Sequence, residues 1–522
     1  MNHRRTLVRL AGPVYLELLA GVAAGIINMV WVARLGGDAV AAVAVATNVE
    51  NLLLGVVLMA ASGTTVLVAR ARGADDPGAL RTAVRGGAAL GALLVPPVAV
   101  GGWLLRDPLA ALLLGGADHP AHALATAYFA ISLPGMAVFF ATTVLDGVLK
   151  GTGDTRTPMR LAFLANGLIL LLDPLLVHGY GVEGAAVSTV IGRTAALAAG
   201  LVALRRNALL KAARAARPSA APRGTAPLKA APEARPAAAL RRTALPRSAG
   251  SARRGGTLRG TALVKAVRAA RTAAALRRTA LPRSAGSARP GGGTVAALRR
   301  TAALGLPMSV DFVVRMGGAL ALVSVIARLG VTEIAAYGIA TKAMYVATMA
   351  FYAVRQAASI HTAHLLGAGH DERGPVGRQA LVLGGVLGAG AAGLLLLGAG
   401  PVMRGFGAEP AVAAAGALFL RCLGPYLLLM AGFIALAGVF EGSGDSPRLA
   451  RITVVGVLLQ LPLAYVLSGP LGLGLAGICL AMALAMAAQC TALGLLRRRT
   501  HRPAAAAGQR AEAETRLLSG SV

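Results

Sequence analysis

A stretch of the first half of the chain recurs in the second half. At a constant offset of 294, residues 10–36 align with residues 304–330, and at an offset of 291, residues 151–154 align with residues 442–445. The matched positions include a proline, two acids and an Arg-Leu-Gly ending, namely Pro13 with Pro307, Glu17 with Asp311, Arg34 with Arg328, and Asp154 with Asp445. Small apolar residues can recur through composition alone, but these residues in this order indicate two homologous halves.

Both halves consist of long apolar segments. Hydrophobic residues make up 56% of the 522 residues and charged residues only 14%, far from the balance of soluble domains. Stretches of about 20 apolar residues, enough to cross a hydrocarbon layer of about 30 Å, recur about twelve times. The predicted spans are residues 10–32, 43–69, 86–105, 122–149, 159–178, 184–204, 301–327, 334–365, 379–398, 411–440, 449–468 and 473–496.

Six spans lie on each side of a basic segment. This layout predicts an all-α polytopic membrane protein with about twelve transmembrane helices in two pseudo-symmetric six-helix bundles, related by an axis along the membrane normal. The predicted domains are an N-terminal bundle (1–204), a linker (205–300), a C-terminal bundle (301–499) and a cytoplasmic tail (500–522). The apolar run after the basic N-terminus is too long for a signal peptide and has no cleavage site, so we expect the first span to be retained.

The distribution of Lys and Arg predicts the orientation. If the N-terminus is cytoplasmic, the outer loops hold only Arg34, Arg106, Arg328 and Arg404, whereas the loops on the other side are rich in Arg. Cytoplasmic loops carry an excess of Lys and Arg. We therefore expect a multi-pass protein of the plasma membrane (the cell inner membrane), monomeric, with its termini and linker in the cytoplasm.

The linker holds most of the net charge of +31, because residues 205–300 contain 23 Lys or Arg and a single acid, Glu233. Residues 237–253 recur letter for letter as residues 273–289, which indicates a recent duplication. With few large apolar residues the linker cannot bury enough surface to fold, so we predict disorder, with transient helix at 262–280. Contact with anionic lipid is expected, whereas nucleic acid is not, because the segment has no aromatic residue for base stacking.

No pattern in the sequence suggests catalysis. The three cysteines lie in apolar spans without metal-ligand spacing, and the eight histidines are scattered. Neither a metal site nor an activated nucleophile is predicted. We expect neither an enzyme nor a bound cofactor.

Charged residues inside spans are expensive and usually face a bundle interior or an aqueous cavity. The ten found here predict a wet central cavity; they are Glu17, Glu50, Asp146, Asp173, Arg193, Asp311, Arg315, Lys342, Arg355 and Arg421. Five of them are candidates for the cavity and the substrate site, namely Asp311, Arg315, Arg355, Lys342 and Asp146. Asp311 and Arg315 stand four residues apart on one helical face, so a structural ion pair is an equally good interpretation of these two.

Two further features concern acids in the first bundle. Asp173 precedes Pro174, which weakens the helix and could leave backbone groups for a water or an ion. Glu17 and Asn28 are eleven residues apart, about three helical turns, so both should project from one face of the first helix.

Prolines and glycines mark the predicted bends and ends of helices. Pro134 should bend the fourth span, while Pro13 and Pro307 lie near the starts of their spans, where proline is tolerated and bending is secondary. The Gly-x-Gly-Asp elements at the ends of spans four and ten should be helix stops with a turn. Their residues are Gly151, Gly153, Asp154 and Pro158, and Gly442, Gly444 and Asp445.

Taken in order, these elements resemble the multidrug and toxic compound extrusion (MATE) family. The resemblance rests on Pro13, the ending at residues 32–36, the Gly-Thr-Gly-Asp-Thr-Arg-Thr-Pro run at 151–158, the run from Asn166 to Pro174, and residues 181–186. It covers both halves apart from 205–300 and the tails, and the Asp-Pro pair of the fifth span points to the DinF-like branch. The resemblance implies two bundles around a V-shaped cavity, which rock between inward-open and outward-open states and drive drug efflux by inward flow of H⁺ or Na⁺.

Two positions depart from the family pattern. Family members commonly have an acid at the position of Asn28 and an Asn at the position of Ile169, whereas Asp173 and Asn166 match. A neutral Asn28 cannot exchange a proton, but a carboxyl group in a low-dielectric cavity can, because burial disfavours its charged form. The candidates for the coupling-ion site are therefore Asp173 and then Glu17, with Asn28 and Asn166 as hydrogen-bonding partners.

The predicted function is a secondary active antiporter that exports small organic compounds, drugs or metabolites. One alternative is a flippase for lipid-linked precursors, which shares this architecture but would be expected to carry more helices. The other is a membrane anchor whose basic segment binds nucleic acid or a partner, which would not need ten intramembrane charges.

Overall fold

The computed structural model describes residues 2–207, 211, 293–405 and 409–519. Within these ranges the chain forms thirteen α-helices and no strand. They are α1 (His3–Ala33), α2 (Gly37–Gly73), α3 (Pro77–Leu104), α4 (Arg106–Leu114), α5 (His122–Gly151), α6 (Arg156–Arg206), α7 (Thr294–Ile326), α8 (Val331–Gly367), α9 (Arg373–Gly405), α10 (Pro410–Cys422), α11 (Gly424–Ser443), α12 (Ser446–Ser468) and α13 (Gly474–Ser519). The disorder and the transient helix predicted for the linker fall on residues 212–292, outside the described residues.

In the described chain, eleven helices are long and apolar enough to cross a membrane, and α6 accounts for two crossings. At Gly181 the backbone leaves the helical region, with φ 58° and ψ −134°. Glycine adopts this positive φ without the steric cost of a Cβ atom. The limbs before and after Gly181 match the predicted fifth and sixth spans, which brings the total to twelve crossings, six in each half. The predicted all-α polytopic membrane fold of two six-helix bundles is confirmed.

Two prolines at equivalent positions have different effects. The offset of 291 pairs Pro134 with Pro425. The α5 helix runs through Pro134, whereas the predicted tenth span is divided at Leu423 into α10 and α11. Pro425 then stands in the first turn of α11, where its missing N–H leaves no helical hydrogen bond unmade. The tenth span, predicted as one helix, is therefore two.

Several helices extend beyond the predicted spans. The α1 helix begins at His3 and α7 at Thr294, so Pro13 and Pro307 lie inside their helices rather than in the first turns. An interior proline removes one main-chain hydrogen bond, which favours bending. The α7 helix also takes in the end of the predicted linker, and α13 continues to Ser519 through most of the predicted tail.

The Gly-x-Gly-Asp elements form the turns that end α5 and α11. Gly153 and Gly444 have φ values of 81° and 84°, the left-handed conformation that ends many helices. Asp154 then caps α6, because its Oδ1 accepts hydrogen bonds from the backbone N–H groups of Arg156 and Thr157 at 3.1 and 3.0 Å. In the second half, Asp445 instead pairs with Arg448 at 3.0 Å.

The two halves meet at the end of the molecule that carries the start of α1 and both Gly-x-Gly-Asp elements, which we call the closed end. One hydrophobic core crosses between the halves there and combines α1 with α8; it includes Leu7, Leu10, Val14, Val354, Ala357 and Ile360. The α2 helix also packs against α7 and α8, and α3 packs against α7. A Cβ atom on Gly63 of α2 would overlap the main chain of Thr301 in α7, so this close approach requires glycine.

Polar links reinforce the closed end. The Arg70 side chain of α2 donates to the carbonyl oxygen of Gly442 at 3.0 Å. The His3 ring lies between two groups of the other half, with Nδ1 3.1 Å from His361 Nε2 and Nε2 3.0 Å from a carboxylate oxygen of Glu372. These contacts tie the first two helices of one half to the second half.

Candidate functional site: a central cleft and three groups of polar residues

Polar side chains are exposed on α2 and α8 in the part of each helix remote from the closed end. On α2 these are Thr47, Asn48 and Asn51, and on α8 they include Lys342 and Tyr345. The offset of 294 pairs Asn48 with Lys342 and Asn51 with Tyr345. The two halves are in contact at Gly55 of α2, whose carbonyl oxygen accepts a hydrogen bond from Ser309 Oγ of α7 at 2.6 Å.

This stripe of polar residues indicates a cleft. Amides and an ammonium group in the middle of membrane-crossing helices are costly if they face hydrocarbon, so they normally face water or a ligand. Their equivalent positions in the two halves place them on matching faces of α2 and α8. The exposed polar residues of the two helices therefore favour the predicted wet cavity between the halves, and Lys342 is its exposed cation on α8.

The first group of buried polar residues surrounds Asp173. This residue is fully buried in α6. Its Oδ2 accepts a hydrogen bond from Asn28 Nδ2 of α1 at 2.9 Å, and its Oδ1 accepts one from Ser188 Oγ at 2.5 Å. Ser188 belongs to the limb of α6 beyond Gly181, so the carboxylate joins α1 to both limbs of the bent helix. Asn166 is half-buried in the described structure and makes no hydrogen bond to Asp173.

The second group lies nearer the closed end of the first half and contains Glu17, Lys150 and Asp146. Lys150 Nζ donates to Glu17 Oε1 at 2.6 Å, which links α5 to α1. The side chains of Lys150 and Glu17 are only 8% and 12% exposed. Asp146 stands one turn before Lys150 on α5, on the same helical face. Glu17 and Asn28 thus contact different partners, although both project into the interior of this bundle.

The third group is an ionic network in the second half. Asp311 accepts hydrogen bonds from Arg315 at 3.2 Å, from Arg355 at 2.9 Å and from Thr453 at 2.5 Å. Arg355 also pairs with Glu441 of α11. Asp311, Arg355 and Glu441 are all buried, so Arg315 and Arg355 are held by acids of their own bundle. Of the five cavity candidates, Lys342 alone is exposed.

The MatE family model matches two segments of the chain, residues 13–175 and 307–466, which together make up more than half of it. The chain belongs to the MATE family. The two MatE segments begin 294 residues apart and end 291 residues apart, the same two offsets that relate the halves in the sequence. The match therefore covers both halves in the same register, and the prediction of this family from the sequence is confirmed.

Curated relatives and solved structures agree with membership of the MATE family. The probable multidrug resistance protein NorM of Thermotoga maritima is 28% identical over 196 residues, which cover 36% of this chain and 42% of the relative. The FAD transporter of Shewanella oneidensis is 24% identical over 199 residues, covering 37% of this chain and 44% of the relative. The chain spans less than half of the length of these curated relatives. A solved structure described as the outward-facing conformation of a multidrug resistance MATE family transporter has a TM-score of 0.75 at 19% identity, over 96% of both chains, and this likeness shows the fold.

Several site residues of this MATE chain escaped the sequence reasoning, among them Lys150, Glu441 and Ser188. Lys150 and Glu441 each stand one residue beyond a predicted span, and the offset of 291 pairs them directly before the two Gly-x-Gly-Asp elements. Because the repeat pairs these two charged residues, the sequence did contain a signal for both of them. No sequence signal pointed to Ser188, because the bend at Gly181 is what brings it to Asp173. Within the described residues, no group of three or more His, Cys, Asp or Glu side chains is placed to hold a metal ion.

Proposed function

We propose that this MATE family chain is a secondary active antiporter, which exports small organic compounds in exchange for inward-moving ions by alternating access. The observation that carries the proposal is the asymmetry of the interface between the halves. They share a core and polar links at the closed end, whereas the stripe of polar residues on α2 and α8 is exposed beyond it. A cleft open at one end between two similar bundles suits a transporter that rocks around a central site.

In this proposal the closed end is cytoplasmic and the protein lies in the plasma membrane. The closed end carries Arg4, Arg5, Arg70, Arg72 and Arg373, whereas few Lys or Arg residues occupy the opposite loops, as expected for cytoplasmic loops. The cleft then faces outward. Alternating access requires the interface at His3, Arg70 and the shared core to open while the opposite ends of α2 and α8 approach each other.

The coupling site is proposed to be Asp173 with Asn28 and Ser188, and the coupling ion to be a proton. Asp173 is the only ionisable member of this group, and both of its oxygens accept hydrogen bonds in the state observed. A proton on Oδ2 would turn an acceptor into a donor, so Asn28 would have to turn its amide or leave. This change alters the contact between α1 and α6, which supplies the two-state element that coupling requires.

The substrate is proposed to be a small organic compound with an anionic or zwitterionic group. Lys342 places a positive charge at the α8 position that the repeat pairs with Asn48 of α2, with Asn51 and Tyr345 exposed one turn further along their helices. Among the relatives, one is named a multidrug resistance protein and another an FAD transporter. We propose that the cleft accepts compounds of this broad range, with Lys342 favouring those that carry negative charge.

The test is transport into inside-out vesicles containing the full chain, with a panel of fluorescent compounds and imposed gradients of H⁺ or Na⁺. Acidification of the vesicle interior should drive uptake by the wild type. Asp173→Asn should reduce this uptake to under about a tenth, because the amide cannot be protonated in the same way, while compound binding is retained. Asp107→Asn changes an exposed acid and serves as the matched control with wild-type uptake. Wild-type uptake by Asp173→Asn under a proton gradient would place the coupling site elsewhere.

A further inference from the structure

The group of Glu17, Lys150 and Asp146 contains two acids and one base. Lys150 Nζ bonds to Glu17 Oε1, but Glu17 Oε2 and Asp146 Oδ1 are both buried and have no hydrogen-bond partner among the residues that the structure describes. The charged groups that act on Asp146 are Lys150 and Glu17. The α2 helix, which packs against α5 at this level, presents Ala61 and Thr65 to Gly147, and neither carries a charge. If all three residues were ionised, the group would carry one uncompensated negative charge.

The second half of the molecule provides an internal comparison. The repeat pairs Glu17 with Asp311 and Lys150 with Glu441. In the second half the two acids are matched by two bases, Arg315 and Arg355, and both acids accept bonds from them. None of these carboxylate oxygens is buried without a partner. The network of the second half is balanced, and its counterpart in the first half has one acid in excess.

An uncompensated carboxylate in a low-dielectric interior is strongly disfavoured, and such a group takes up a proton instead. We propose that Glu17, Lys150 and Asp146 form a second proton-binding site, in which the two carboxyl groups hold one exchangeable proton between them. It shares no residue with the Asp173 group, whose partners are Asn28 and Ser188. Its existence does not depend on the proposed transport function.

The position of the site gives the proton a structural effect. In the arrangement observed, Lys150 bonds to Glu17 and links α5 to α1. In this proposal the arrangement belongs to the state in which Asp146 is protonated. When the proton leaves, Asp146 becomes a competing acceptor one turn away on the same helix. Lys150 can then bond either to Glu17 on α1 or to Asp146 on its own helix. Proton binding thus strengthens the connection between α1 and α5 next to the Gly-x-Gly-Asp turn.

The test measures protonated carboxyl groups directly, by infrared difference spectroscopy of the purified full chain between acidic and alkaline buffer. All variants carry Asp173→Asn, so that the other proposed proton site contributes nothing and a failure of the transport proposal does not affect the result. The parent should show a carbonyl band of protonated carboxyl that disappears in alkaline buffer. Glu17→Gln and Asp146→Asn should each remove the same part of this band, because either change leaves one acid matched by one base.

Lys150→Met should have the opposite effect and increase that part of the band about twofold, because both carboxyl groups then need a proton. Asp107→Asn, at an exposed acid, is the control and should leave the band unchanged. The variants at Glu17 and Asp146 report independently, so poor folding of one leaves the other decisive. An unchanged band in a folded Glu17→Gln or Asp146→Asn protein, or no such band in the parent, overturns the proposal.

Discussion

Arg355 holds together the ionic network of the second half, which makes its removal the most informative test of stability. Its guanidinium contacts both Asp311 and Glu441, and it is the base that pairs with Glu441 in the described structure. The side chains of Arg355 and Glu441 are only 10% and 4% exposed. Arg355→Met replaces the guanidinium side chain by a shorter, unbranched apolar one and leaves Glu441 as an unpaired buried charge.

The expected loss follows from this burial. Removing one partner of a buried ion pair costs about 3–5 kcal/mol, because the remaining charge stays desolvated without compensation. Arg315→Met is the matched variant in the same network. Asp311 would keep Arg355 and Thr453 as partners, so the loss should be only about 1.5–3 kcal/mol, the value of a hydrogen bond to a charged group. Lys342→Met, at an exposed position, should have little effect.

The assay is reversible unfolding of the purified protein in mixed micelles, followed by the loss of helical circular dichroism. The free energy of unfolding should be highest for Lys342→Met, lower for Arg315→Met and lowest for Arg355→Met. Adding Glu441→Gln to Arg355→Met should recover a large part of the loss, since the residue left unpaired is then neutral. Equal losses for Arg315→Met and Arg355→Met, or no recovery in the double variant, would refute the assignment of Arg355 as the bridging base.

Three further predictions address coupling, the linker and the orientation. Asn28→Asp should fold and should shift the pH dependence of transport, because a second ionisable group then contacts Asp173; an unchanged pH profile would argue against the Asp173 group as the coupling site. Deletion of residues 212–292 should leave membrane insertion and transport nearly intact, since loop length has a small energetic effect, whereas lost transport at normal protein levels would give the linker a binding or regulatory role. Ser251→Cys, in a chain whose three native cysteines are replaced, should resist impermeant thiol reagents in intact cells, and ready labelling would reverse the proposed topology.

The sequence was sufficient to predict the architecture because its signals are local and repeated. Hydropathy located the crossings, and the recurrence of Pro13 and Gly151 as Pro307 and Gly442 gave the two halves. The break at Leu423 was not predictable from proline alone, because Pro134 at the equivalent position stays within one continuous helix.

The sites were less predictable than the fold, because their partners come from distant parts of the chain. The spacing of four residues between Asp311 and Arg315 predicted an ion pair on one helical face, and the structure contains it. Arg355 and Glu441 join it only in the folded protein, where α8 packs against α11 and the Arg355 side chain reaches Asp311 of α7. Lys150 and Glu441 were missed as partners because each follows the end of an apolar window, where a charge looks like an ordinary loop residue.

Substrate-driven proton movement in proteoliposomes tests the central proposal most directly. The purified full chain is reconstituted with a pH-sensitive dye inside, and a compound that the vesicle panel has identified is applied as a gradient with no initial difference in pH. The compound flowing in one direction should move protons in the other, and Asp173→Asn should abolish this proton movement while Asp107→Asn preserves it. Compound flux by the wild type without any accompanying change in internal pH, or undiminished proton movement in Asp173→Asn, would contradict proton antiport through Asp173.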